Sequence, residues 1–135
     1  LENTLEFKNQ HPADENIIWK ILIDMVRALK ILHHMKILHR DLKVQIVSVE
    51  GWLRFVGGPE RFESCQEGDA LHIEGTPYYA SPEVWKDQPY DSKSDIWSLG
   101  CVLYEMVTLK PPFRANDMNG LYKRVLKGIY PKIPS

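Results

Sequence analysis

The chain has 135 residues, 44% hydrophobic and 26% charged, enough for one modest domain with a real core. Its 17 basic and 18 acidic residues leave a formal net charge of -1, a balance that argues against nucleic acid or an anionic membrane as partner. No apolar run approaches the ~18 residues that span a bilayer, and the polar start LENTLEFKNQHPADEN carries no signal-peptide pattern.

Pro12, Asp14 and Glu15 suit the first turn of a helix, where a missing N–H costs nothing and negative charge meets the positive end of the dipole. Ile18, Ile21, Leu22, Met25, Leu29 and Leu32 then recur at helical spacing, with Lys20, Asp24, Arg27 and Lys30 on other faces. This helix is expected to end near His34 to Lys36. Ile37 and Leu38 read as a short strand. Val47 and Val49, the turn Glu50-Gly51, and Trp52 to Val56 read as a small hairpin closed by Gly57-Gly58-Pro59. Residues 60 to 76 have no periodicity and read as a loop.

Ser81-Pro82-Glu83 reads as the start of a short helix, and Asp91 to Ser94 as polar punctuation. Ile96, Leu99, Val102, Leu103, Met106 and Val107 follow in a strongly apolar helix. Only Asp95, Ser98 and Glu105 interrupt it, so it is expected to be buried almost all round. Asp95 reads locally as an ordinary N-cap. Pro111-Pro112 ends that region, and Asp117 to Lys127 forms a weaker amphipathic helix.

Cys65 and Cys101 stand apart, with no metal-ligand spacing, which fits a reducing, intracellular setting. Cys101 reads as a buried small hydrophobe. His33 and His34 are adjacent, so on a helix they point about 100° apart and cannot share a metal. No metal site is expected. Trp19, Trp52, Trp85 and Trp97 read as core or partly buried packing residues.

Three motifs in order carry a resemblance. His39-Arg40-Asp41-Leu42-Lys43 is similar to the catalytic loop of a eukaryotic protein kinase. "GTPYYASPE", from Gly75 to Glu83, resembles the end of a kinase activation loop. Asp95-Ile96-Trp97-Ser98-Leu99-Gly100 resembles the buried central helix of the C-terminal lobe. With "ILHRDLKVQ" and "CVLYEMVTLKPPFRANDMNGLYKRVLKGIYPKIPS", the chain from about Ile17 to Ser135 is similar to the NIMA-related (NEK) kinases. The resemblance implies a mainly α fold: residues 1–135 as part of a kinase C-lobe, a helical bundle around a buried central helix with the hairpin beside the catalytic loop. The N-lobe and the last C-lobe helices have no counterpart in these residues.

The resemblance also assigns roles. Asp41 matches the Asp that accepts the substrate hydroxyl proton, and Lys43 the lysine that steadies the transferred phosphate. A purely structural role for Asp41, capping backbone N–H groups, stays open beside this. His39, Arg40, Thr76, Glu83 and Asp95 match residues that build the loop and its support, with Asp95 holding the His39–Asp41 backbone from beneath. The family's two Mg²⁺-ligating positions fall on Ile46, where an Asn is expected, and Gly57, where the Asp of the DFG motif is expected. Neither side chain offers oxygen to a hard cation. Glu60 would substitute only if the hairpin lengthened. His72 stands where relatives carry a phosphorylated Ser or Thr, and it accepts no stable phosphate ester.

The expectation is therefore a degenerate NEK-like kinase, a pseudokinase without ATP or Mg²⁺. It would bind protein partners (another kinase or a cytoskeletal protein) in the cytoplasm, through the groove between residues 60 to 80 and 117 to 127. The alternative is an active Ser/Thr kinase using ATP and Mg²⁺ through unusual ligands. Glu83 is further expected to pair, in the family, with an Arg outside these residues, and to destabilise the chain when buried without it.

Overall fold

The computed structural model describes residues 14–44 and 77–133. The hairpin at 47–56, Ile46, Trp52, Gly57, Glu60, Cys65, His72 and Thr76 all lie outside the described residues. The described chain is helical, in the order α1 (Glu15–His34), α2 (Pro82–Trp85), α3 (Ser92–Thr108) and α4 (Met118–Lys127), with no strand among the described residues.

Each helix begins where its sequence supplies an acceptor or a proline. The Asp14 carboxylate accepts from the Asn16 amide and opens α1, with Glu15 in the first turn. The end of α1 is a Schellman closure. Lys36 sits in the left-handed region at φ 61, Lys36 N–H donates to His33 O, and Ile37 N–H donates to Leu32 O. That last bond corrects the strand expected at Ile37 and Leu38. The Ile37 amide closes a helix, and Leu38 is buried with Val84 and Tyr90.

Helix α3 starts four residues earlier than an Asp95 N-cap would place it. Asp91 is the cap: its carboxylate accepts from the Lys93 and Ser94 amides, and Ser94 Oγ accepts from Asp91 N–H, a complete capping box. Asp95 is thereby carried inside the helix, onto its buried face. Helix α4 is capped by Asp117, which accepts from Gly120 N–H at 2.6 Å, and ends on Gly128 at φ 64.

Two cores meet on α3. Ile18, Met25, Leu29 and Leu32 of α1 pack with Leu42 against Leu99, Val102 and Met106. On the other side, Cys101 joins Phe113, Leu121 and Val125, with Trp97 stacked on Phe113 at 5.4 Å. The burial of α3 is less complete than expected, since Ile96 is 48% exposed and Gly100 is exposed beside it. Trp19 also departs from a packing role: it is 55% exposed, and its indole N–H donates to Glu15.

Candidate functional site: a carboxylate beneath the catalytic loop

The polar interruptions of α3 share one face. At about 100° per residue, Asp95, Ser98 and Glu105 fall within an arc of about 80°, and that arc is turned toward residues 38–44 and 77–81. Asp95 is the hub. It is fully buried, and both carboxylate oxygens are engaged. Oδ2 accepts from His39 N–H at 2.9 Å and lies 2.7 Å from His33 Nε2. Oδ1 accepts from Arg40 N–H at 3.0 Å and from Tyr90 O–H at 2.7 Å. Burial, then the charge of Asp95, push the Tyr90 phenol well above its ordinary range, so it stays a donor.

This hub holds a backbone that would not hold itself. Arg40 has φ 62, a left-handed conformation costly for a side-chain-bearing residue. Its amide is fixed by Asp95, and its guanidinium lies 5.4 Å from the centre of the Tyr90 ring. The loop then turns outward, with Asp41 N–H donating to His39 O at 2.9 Å. The Asp41 carboxylate accepts from Lys43 Nζ at 2.9 Å, and 49% of the Asp41 side chain faces solvent. Asp41 and Lys43 are thus brought together as an ion pair.

The same face of α3 holds the segment before α2. Ser98 Oγ donates to Tyr79 O at 2.9 Å, and Tyr79 O–H donates to Glu105 at 2.7 Å. Burial raises the Glu105 carboxyl above its ordinary value, and the Tyr79 hydrogen bond opposes that. The Tyr79 phenol is pushed far up by burial and then by Glu105. The Cys101 thiol is raised to about 12, chiefly by burial. Glu83 is half-buried and accepts from Ser94 Oγ, which ties α2 to the capping box of α3. It therefore has a partner within the described residues, and the penalty expected for a buried, unpaired carboxylate does not apply in full.

Of the residues singled out from sequence, the structure gathers His39, Arg40, Asp41, Lys43 and Asp95 at one place, and sets Glu83 at the start of α3. Three contributors have no local signal for these contacts: Tyr79 within the GTPYYASPE motif, Tyr90, and His33 at the end of α1. Ser98 and Glu105 read in sequence as separate polar breaks, and the structure joins them with Asp95 in one stripe.

The protein kinase domain family matches residues 1–133. The chain belongs to that family. It is related to the NIMA-related kinases in particular. It is 44% identical over 126 residues to the mouse serine/threonine-protein kinase Nek4, which covers 91% of this chain and 16% of that protein. It is 42% identical over 119 residues to mouse Nek5, covering 85% of this chain and 19% of the relative. Mouse Nek10 is 34% identical over 142 residues, covering 98% of this chain and 12% of the relative. The chain thus spans less than a fifth of the length of each of these three relatives. Within this kinase fold, the Asp95 hub braces the backbone of the loop that bears Asp41.

Proposed function

We propose that this NEK-related chain keeps the scaffold of a kinase catalytic loop without metal-assisted phosphoryl transfer, and works as a protein-binding module inside the cell. One observation carries the reading: at the two sequence positions that match the family's Mg²⁺ ligands, Ile46 and Gly57 bring no side-chain oxygen. Those residues do not fit a Mg²⁺ pair, which needs hard oxygen ligands to bridge phosphates. A general base alone contributes about 10²–10⁴ in rate, short of the roughly 10⁶ or more that enzymes supply.

Of the groove expected between residues 60 to 80 and 117 to 127, the α4 side is described, and its inward residues are not available to a partner. Leu121 is 2% exposed and belongs to the core with Phe113 and Val125, and Tyr122 is half-buried against Trp85. The usable surface is the outer face of α4.

A second reading, transfer of phosphate from ATP to protein, is favoured by the relatives, several of which are named as serine/threonine-protein kinases. Thermal unfolding of the protein with ATP, with and without Mg²⁺, separates the two. The first reading expects no Mg²⁺-dependent rise in Tm. A rise that requires Mg²⁺ and disappears in Asp41→Asn would support the second.

A further inference from the structure

The outer face of α4 carries a charge that the rest of the chain does not. Five of the 17 basic residues but only one of the 18 acidic ones fall between Arg114 and Lys132. That stretch is +4 and the remainder -5, within a chain of net charge -1. Four of these five cations line two adjoining cavities of about 560 and 540 Å³ that share Gly120, Arg124 and Pro131. Arg114 lines the first, and Lys123 and Lys127 line the second. All four cations are exposed, and none forms an ion pair with a described residue. Asp117, the one acid in the lining, already caps α4 through Gly120 N–H.

The cleft has a fixed wall. After Gly128 the chain turns back onto α3, where Tyr104 O–H donates to Pro131 O at 2.9 Å. The Tyr130 ring meets Tyr104 and Phe113 edge-on, each at 5.8 Å. Even so, Tyr130 is 54% exposed and Ile129 60%, leaving an apolar strip beside the cations.

We propose that this cleft binds an extended acidic segment of a protein partner, with acidic side chains on Arg114, Lys123, Arg124 and Lys127 and a neighbouring apolar side chain on Ile129 and Tyr130. Charge complementarity selects an acidic ligand, and the exposed apolar side chains of Ile129 and Tyr130 beside the cations select a protein segment, which carries acidic and apolar side chains together, over a bare polyanion. The inference deepens the protein-binding reading, and it stands whether or not the chain turns over ATP.

The test uses the whole polypeptide and three fluorescent probes: octaglutamate, a 20-nucleotide single-stranded RNA, and vesicles containing phosphatidylserine. Octaglutamate should bind, and more weakly as salt rises from 50 to 300 mM. Arg114→Gln with Arg124→Gln should weaken it about tenfold, as should Lys123→Gln with Lys127→Gln, while Lys30→Gln on α1 leaves it unchanged. All of these side chains are exposed, so Tm should not move. Equal octaglutamate binding by the wild type and both double variants overturns the proposal, and so does tighter binding of the RNA or the vesicles. Metal-dependent ATP turnover with the octaglutamate result intact would remove the pseudokinase reading and leave the cleft standing.

Discussion

The side of α3 that faces residues 39–43 and the α4 face use polar groups in opposite ways. Around Asp95, two backbone amides, a histidine and a tyrosine converge on one buried carboxylate. Around α4, four cations point outward without an ionic partner among the described residues. Buried polar groups cost free energy unless all are satisfied, so the first arrangement specifies one backbone shape and little else. Exposed charges contribute little to stability and much to encounter with a partner. Holding a loop and meeting a partner are therefore separable in this molecule, and variants should divide along that line.

The largest effect is expected at the hub. Asp95→Ala strands the amides of His39 and Arg40 and the Tyr90 hydroxyl in the interior, and should cost about 3–5 kcal/mol in urea unfolding. Asp95→Asn should cost less, because the amide oxygen still accepts. A loss below about 1 kcal/mol for the alanine variant would mean that the loop is held some other way.

Next is the Tyr79–Glu105 link. Tyr79→Phe should cost about 1–2 kcal/mol, as expected for a partly buried hydrogen bond to a carboxylate. The pH dependence has a definite sign. A carboxyl raised by folding binds its proton more tightly in the native state. Its contribution is complete below the unfolded-state value and is lost as pH rises through the folded value. Glu105→Gln should flatten that decline in a series of melts from pH 4 to pH 8, and an unchanged slope would show that Glu105 does not cause it.

Cys101 offers a kinetic contrast with the open α4 face. With its thiol raised to about 12 and its side chain 3% exposed, it should resist iodoacetamide at pH 8 until the chain unfolds. Alkylation read by mass spectrometry on the Cys101 peptide should follow urea unfolding; rapid labelling of the native protein would show that this core opens locally. The smallest effect lies at the end of α1. Lys36→Gly relieves a left-handed residue and should stabilise by about 0.5–1 kcal/mol. A destabilisation would mean that the lysine side chain matters more than its backbone.

Much of this contrast was legible in the residues, for identifiable reasons. Apolar spacing from Ile18 to Leu32 and from Leu99 to Met106 traced the buried faces of α1 and α3, because both helices pack along one stripe. Pro82 marked α2 through its fixed φ. Short range failed where two local patterns compete. Ile37 and Leu38 look like a strand, but the Ile37 amide is needed to close α1. Asp95 looks like a cap, but Asp91 and Ser94 already form one. The family resemblance already set Asp95 beneath the His39–Asp41 backbone, but its contact with His33, 62 positions away, was hidden because no periodicity links the two. The basic cleft escaped because net charge averages a +4 stretch against a -5 remainder.

The central proposal is that metal-assisted phosphoryl transfer is lost in this kinase-fold chain, because Ile46 and Gly57 stand at the sequence positions of the family's Mg²⁺ ligands. Transfer of labelled phosphate from ATP to a generic Ser/Thr substrate, with Mg²⁺ or Mn²⁺ and the full-length protein, tests it most directly. The account predicts incorporation no greater than that of Asp41→Asn. Metal-dependent transfer that Asp41→Asn abolishes would contradict it.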